Sequence, residues 1–222
     1  MLKTPSGTPA GLTPADPIDG SEPATRRQTI RIYVAVVLVG VAGIAIASVK
    51  AIIIGTYVHD FGTSAPVAGY LLSVEMVAAT LGVIISTLVG GRSALAAALV
   101  AIFVGDTGTG LASVVTTLFA WQVLAGLGHG FALGRMGQGI ATVEHPQRLS
   151  GCYMIGYLAL SSVNSFLLPN TKALLGPHAL FFTLALTGPF ALLALRWFPT
   201  INPRGARGVK GVGKPIGFVL TV

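Results

Sequence analysis

Four ionisable residues lie inside long apolar stretches of this sequence: Lys50, Glu75, Asp106 and His129. A charged side chain at the centre of a membrane-spanning helix costs about 2.5–3.5 kcal/mol on insertion scales. Such residues are rare in spanning segments, and where they occur they suggest a function by default. The uncharged Gln122 precedes His129 by about two helical turns, so both side chains are expected on one helix face.

The four ionisable residues are expected to converge at similar depths. At about 1.5 Å of rise per residue, Lys50, Glu75 and Asp106 lie roughly 12–14 Å below the outer surface, and His129 about 18 Å. Their equal depth and opposite signs predict a Lys50–Glu75 pair that lines a polar cavity. Glu75 and Asp106 against Lys50 leave one negative charge, which a proton on His129 could balance. With Gln122, these residues are the candidate substrate or ion path.

Each of these residues also has a purely structural explanation. Lys50 could snorkel to the surface, and Glu75 could only balance its charge. Asp106 lies in the sequence VGDTGTG, which could be an irregular or water-lined stretch. His129 could be a hydrogen-bonded packing residue. Arg135, in the same apolar run as His129, is expected to snorkel toward the headgroups.

The composition predicts an all-α integral membrane protein. Of 222 residues, 53% are hydrophobic and only 9% are charged, with a mean hydropathy of +0.79. Soluble domains carry about 25% charged residues. The net charge of +7 comes mostly from residues that flank apolar runs, which is a topology signal and not a nucleic-acid footprint. The single Cys152 excludes an internal disulfide and is expected to be a packing residue.

Six apolar runs are long enough to cross a bilayer as helices, since a span needs about 20 residues. We expect the fifth run to end before Pro169 and the sixth before Pro199, with a kink at Gly188 and Pro189. The six expected spans are 32–58, 67–89, 93–115, 117–143, 149–168 and 178–198.

The distribution of lysine and arginine predicts the orientation. Basic residues concentrate before the first span, in the second-to-third and fourth-to-fifth connections, and after the sixth span, whereas only Lys172 lies on the opposite side. The positive-inside rule then places both termini in the cytoplasm. We expect a disordered proline-rich arm over 1–30, a six-helix transmembrane domain over 31–199 and a basic tail over 200–222. The expected location is a bacterial inner (plasma) membrane, in contact with its lipids.

The fourth run carries a ridge of small residues. Gly126, Gly130 and Gly134 are spaced four residues apart, so they lie on one helix face. Repeated Gly-x-x-x-Gly spacing lets helix backbones approach closely in membranes. We therefore expect this ridge to be a helix-packing surface.

Two stretches resemble the major facilitator superfamily of transporters. The stretch FGTSAPVAGYLLSVEMVAATLGVIIS is similar to the family's first loop and second helix, and WQVLAGLGHGFALGRMGQGIATVEHPQRLSG resembles its fourth helix. Six spans with both ends inside match one half of that fold. The resemblance covers roughly residues 30–199 and implies a transporter whose twelve helices form two halves around a central site.

The sequence departs from the family pattern at three places. The family's gating loop after the second helix contains an Asp, whereas LVGGRSALAA keeps only Gly90, Gly91 and Arg92 as a remnant. Gln122 stands where many members have an Arg that is tied to proton coupling. The chain supplies six helices and not twelve, so a half-transporter would need a second copy or a partner half.

No enzyme motif is found in the sequence. It contains no H-E-x-x-H, no Gly-x-Ser-x-Gly and no Walker A pattern, so we expect no catalytic residues, no metal site and no cofactor. Two function classes are left. One is a transporter or half-transporter for a small polar solute. The other is a non-transporting structural or assembly subunit of a larger membrane complex that uses the same fold; a truncated twelve-helix protein is a third explanation.

Overall fold

The computed structural model describes residues 22–176 and 178–200, and in this part of the chain every regular element is a helix. Residues 1–21 of the expected arm and 201–222 of the expected tail lie outside the described residues. The elements are α1 (Glu22–Ile44), a first 3-10 segment (Ala45–Val49), α2 (Lys50–His59), α3 (Ala65–Leu88), α4 (Arg92–Leu111), α5 (Val115–Ala141), α6 (Pro146–Leu175), α7 (Ala179–Ala185), α8 (Thr187–Ala194) and a second 3-10 segment (Leu195–Trp197).

Five stretches are long and apolar enough to cross a membrane, which makes this a multi-pass membrane protein by length and composition. Of the six expected runs, the fourth is the exception. It forms the 27-residue helix α5, but its glycines together with Gln122 and His129 make it less apolar than the others. The five stretches are Arg26–His59, Ala65–Leu88, Arg92–Leu111, Pro146–Leu175 and Ala179–Trp197.

Two helix boundaries differ from the sequence prediction. Helix α1 begins at Glu22, inside the range expected to be disordered, because Pro23 is tolerated in a first turn and Arg and Gln favour helix. Helix α6 continues through Pro169 to Leu175 and does not end before the proline. A proline removes one backbone donor, but in spanning helices neighbouring polar side chains can satisfy the backbone groups that are freed.

Polar side chains follow Pro169 directly. The Asn170 side-chain amide donates to the carbonyl of Phe166 at 2.7 Å, and the Thr171 hydroxyl donates to the carbonyl of Leu168 at 3.0 Å. These bonds occupy the carbonyls of Phe166 and Leu168, whereas the carbonyl that loses its backbone donor at Pro169 is that of Ser165. The last passage, by contrast, is broken: α7 ends at Ala185 and α8 starts at Thr187.

Helix α5 is the centre of the bundle and packs against α1, α3 and α4. It runs parallel to α3 and antiparallel to α4 and α1, as the order of their contacts shows. A Cβ added to Gly126 would lie 2.5 Å from the carbonyl oxygen of Glu75, and one added to Gly130 would collide with Ala79. The glycine ridge thus places two helix backbones in direct contact, as the sequence predicts.

Two apolar clusters flank the interior of the bundle. One packs α1, α4, α5, α6 and α8 around Leu95, Leu99 and Phe198. The other packs the first 3-10 segment, α2, α3 and α7 around Tyr57 and Phe181. Of the polar residues singled out in the sequence, Glu75 lies on α3, Asp106 on α4, and Gln122 and His129 on α5, whereas Lys50 begins α2.

The two ends of the bundle have different chemistry. At one, Arg31 lies over the Trp197 ring and Arg92 donates to the Phe198 carbonyl; we call this the basic end. At the other, Lys172 pairs with Asp60 at 2.5 Å; we call this the Asp60 end. The described chain starts and finishes at the basic end.

Gly130→Ala is expected to destabilise the fold, because the new methyl group has no room against the backbone of α3. Overpacking of this kind costs typically about 1–3 kcal/mol. Gly137→Ala on the same helix is the matched control, since a Cβ there meets nothing within 4 Å. The melting temperature of the purified protein in detergent, followed by tryptophan fluorescence, measures both. Equal melting temperatures for the two variants would contradict the backbone contact.

Candidate functional site

Three ionisable side chains from three helices meet inside the bundle: Glu75 of α3, Asp106 of α4 and His129 of α5. The His129 Nδ1 lies 4.0 Å from Glu75 Oε1, and its Nε2 lies 3.8 Å from Asp106 Oδ2. Both distances are longer than a hydrogen bond. The side chains are 0%, 0% and 2% exposed, so the imidazole stands between two carboxyl groups in a closed interior. We call these three residues the carboxyl–histidine cluster.

The carboxyl oxygens of Glu75 and Asp106 have no hydrogen-bond partner among the described protein atoms, whereas the His129 imidazole lies close to the backbone carbonyl of Ala125, one turn earlier in α5. Burying a polar group without a partner costs free energy, and burying an unpaired charge costs far more. Such groups persist in native proteins chiefly at functional sites, where strain or unmet bonding is part of the mechanism. The cluster is therefore the candidate functional site of the described chain.

A hydrogen-bonded network between three helices adjoins the cluster on the side of the Asp60 end. The Gln122 side-chain amide donates to the Tyr57 hydroxyl at 2.6 Å and to the Thr109 hydroxyl at 3.3 Å. Thr109 in turn donates to the carbonyl of Gly105 at 2.9 Å. All three side chains are fully buried. Gln122 therefore links α2, α4 and α5 by polar contacts.

Sequence reasoning found Gln122 but missed its two partners. Thr109 lies three residues after Asp106, so it shares a helix face with that carboxyl, and this spacing could have identified it. Tyr57 carries no such signal. Its position depends on the path of α2 after the 3-10 segment, which the sequence pattern does not reveal.

Lys50 does not join the cluster. Its Nζ lies 3.0 Å from the Met76 sulfur, and no ion pair links it to Glu75 in the described part of the chain. The predicted direct Lys50–Glu75 ion pair is therefore not formed, but Lys50 lies near enough to Glu75 to act on it electrostatically, and His129 is the ionisable group within 4.0 Å of Glu75. The 3-10 segment Ala45–Val49 directly precedes Lys50. Five residues of 3-10 helix turn about 100° further than five of α-helix, so the face on which Lys50 lies differs from that of an unbroken helix.

The glycine ridge sets the geometry of the cluster. Gly126 lies against the backbone of Glu75, and Gly130 follows His129 directly in α5. Gly134 lies against Ser86, one ridge position further toward the basic end. Only with these close contacts does α3 come near enough to α5 for Glu75 to reach the imidazole.

A buried guanidinium lies further along α5. Arg135 is 1% exposed and so does not snorkel to the headgroups as expected. Its Nη1 donates to Gln138 Oε1 at 2.7 Å, and the Gln138 amide donates to the carbonyl of Ser86 at 3.1 Å. This chain of bonds ties α5 to α3 near the basic end. Arg135 is thus satisfied in part by a neighbour on its own helix.

The gating-loop remnant lies apart from the cluster, at the basic end. Gly91 has φ +98°, a backbone conformation that favours glycine, and it sets the start of α4. Arg92 donates from Nε and Nη2 to the carbonyl of Phe198 at 3.2 and 2.8 Å. With Gly90 before them, these residues form a turn that holds the end of the last passage.

The arrangement of the cluster favours proton chemistry. Within residues 22–176 and 178–200 no three His, Cys, Asp or Glu side chains are placed to hold one metal ion. An imidazole between two carboxyl groups can accept a proton at either nitrogen and pass it to either side. Each proton taken up changes the net charge of a closed, apolar-flanked interior by one unit.

Comparison with known proteins found no counterpart: no family model, no curated protein and no solved structure matches this chain. Membership of the major facilitator superfamily is therefore not shown.

Tyr57→Phe is expected to lower stability by about 1–3 kcal/mol, because it leaves a buried Gln122 donor short of an acceptor. Tyr70→Phe is the control, since Tyr70 is exposed on the outer face of α3. Thermal unfolding in detergent compares the two variants. A Tyr57→Phe protein as stable as Tyr70→Phe would show that the Gln122–Tyr57 bond contributes nothing.

Proposed function

We propose that this chain is a secondary transporter, or half of one, for a small polar solute, with an architecture like one half of the major facilitator superfamily. The proposal is carried by one observation: the Glu75 and Asp106 carboxyl groups are buried beside His129 without hydrogen-bond partners. Ionisable groups in membrane interiors mark ion paths and proton relays. A structural role alone would favour side chains that satisfy one another.

In this mechanism the carboxyl–histidine cluster takes up and releases the coupling proton. With both carboxylates charged and His129 protonated, the cluster carries one negative charge, and one further proton makes it neutral. Because a net charge in a closed interior is costly, the neutral form favours the closed state and the charged form favours access of water or solute. Proton binding then shifts the balance between two conformations by its different affinity for each.

We propose that all six passages cross the membrane, α5 included. Helix α5 is surrounded by α1, α3 and α4, so its glycines and polar residues face protein more than lipid. The basic end would face the cytoplasm of a bacterial plasma membrane by the positive-inside rule, with both chain ends on that side.

A six-helix unit does not enclose a central path by itself, so the proposed transporter is completed by a second copy or by a partner six-helix chain. Native mass spectrometry of the chain, extracted gently from its own membrane, measures this. We expect a homodimer or an equimolar pair of six-helix chains. A monomer that alone supports solute flux would contradict the need for a second half.

Glu75→Gln is expected to abolish proton-coupled solute flux, because the amide cannot take up and release a proton. The assay reconstitutes the full chain in liposomes with an internal pH dye and adds small polar and zwitterionic solutes under an imposed proton gradient. Glu144→Gln is the matched control: the same change at an exposed position of the basic end. Flux in Glu75→Gln that equals the flux of the Glu144→Gln control would remove Glu75 from the mechanism.

A non-transporting subunit of a larger membrane complex is the second candidate. It is favoured by Arg92, which holds the end of the last passage in place of an interaction with a gating-loop Asp. Helix α6 also exposes most of its surface: only 17% of its apolar window is buried within the chain. Stoichiometric recovery in a larger complex, with no flux for any solute, would decide for this candidate.

A further inference from the structure

A second site lies at the basic end, far along the bundle from the Asp60 end. An open cavity of about 600 Å³ is lined by Trp197 and by four arginines from three separate parts of the chain. Helix α1 supplies Arg27 and Arg31, the start of α4 supplies Arg92, and the last 3-10 segment supplies Arg196. Neither the transport proposal nor the carboxyl–histidine cluster uses any of these side chains.

Three of the arginines are held in place around two consecutive residues. The Arg196 guanidinium carbon lies 4.4 Å from the centre of the Trp197 ring, and that of Arg31 lies 5.9 Å from it. Arg92 donates two hydrogen bonds to the carbonyl of the next residue, Phe198. Cation–π contacts and a carbonyl acceptor thus orient these groups before any ligand is bound.

Among the side chains that the structure describes, no carboxylate lines this cavity to balance its positive charge. Among the acidic side chains that the structure describes, Asp60 pairs with Lys172 at the other end, and Glu75 and Asp106 lie in the interior. Glu144 lines a neighbouring cavity and not this one. Like charges held together repel, so an anion that enters the cavity lowers the electrostatic energy.

We propose that this cavity binds a phosphate group, presented by the headgroup of an anionic phospholipid or as free phosphate. Planar guanidinium groups match phosphate oxygens with paired hydrogen bonds, and arginine is the residue favoured for this purpose. Basic pockets between membrane helices bind anionic headgroups, and tryptophan is enriched at the level of the headgroups. The residues that line the cavity lie at the start and at the end of spanning stretches, and these positions are at the level of the headgroups.

The test titrates the purified full chain with phosphatidylglycerol, and in parallel with zwitterionic phosphatidylcholine, and counts bound lipids by native mass spectrometry. We expect one phosphatidylglycerol to bind in preference. The double variant Arg31→Gln, Arg196→Gln should weaken it roughly 30-fold, from the contribution of each basic residue near an anionic surface. The matched control Arg26→Gln, Arg148→Gln removes the same charge at the same end from residues that do not line the cavity.

The double variant could fail to fold, so Arg27→Gln provides a second test. Arg27 lines the cavity but contacts neither the Trp197 ring nor the Phe198 carbonyl. We expect Arg27→Gln to weaken binding roughly 5-fold while the melting temperature stays unchanged.

Titration with inorganic phosphate identifies the source of the phosphate group. Displacement of the lipid by inorganic phosphate at low concentration assigns the site to free phosphate, whereas retention of the lipid assigns it to the headgroup. If the double variant and its control lose lipid binding equally, the loss comes from the general positive charge of this end and not from the cavity. That result would overturn the proposal. If neither phosphatidylglycerol nor inorganic phosphate binds in preference, the proposal is also overturned.

Discussion

Direct contact between the backbones of α3 and α5 is the constraint on which the rest of the structure depends. At Gly126 and Gly130 there is no room for even one side-chain carbon against α3. In lipid, helix association gains little from the hydrophobic effect and relies on close packing. This contact brings Glu75 to His129, while α4, packed on the same central helix, supplies Asp106. Without it the carboxyl–histidine cluster would not exist.

The two proposed sites of this protein differ in how they treat charge. In the interior, two carboxyl groups without hydrogen-bond partners are buried beside an imidazole, and in the proposed mechanism their charge state is coupled to whether the bundle is open. At the basic end, arginines are gathered around Trp197 at an open cavity, where an anion from outside can approach them. One site can respond to protons, and the other can respond to the membrane or to an anion in the adjacent water.

The depth of each polar residue along its helix was predictable from the sequence. The direction in which its side chain points around the helix axis was only partly predictable. Counting residues placed Glu75, Asp106 and His129 at levels that proved compatible with contact, because α3, α4 and α5 are regular helices there. Lys50 also lies at the expected level, since its Nζ reaches Met76 beside Glu75, but the direct ion pair with Glu75 is absent. The expected helix end before Pro169 was wrong, because α6 continues through the proline to Leu175. Composition predicted six spanning stretches, of which five are long and apolar enough, whereas the shielding of α5 is a property of the packed bundle.

The interlocked glycines also limit how the molecule can move. Each ridge position of α5 fits against a turn of α3, so sliding by part of a turn would drive backbone atoms into one another. We therefore expect α3 and α5 to move as one rigid unit. Glu75 and His129 of the cluster then keep their positions relative to each other. Bending has to occur where the α-helical pattern is interrupted, at Ala45–Val49 and at Leu186 between α7 and α8. The two interruptions lie in the first and the last passage, so the outer parts of the chain would hinge around a stationary centre.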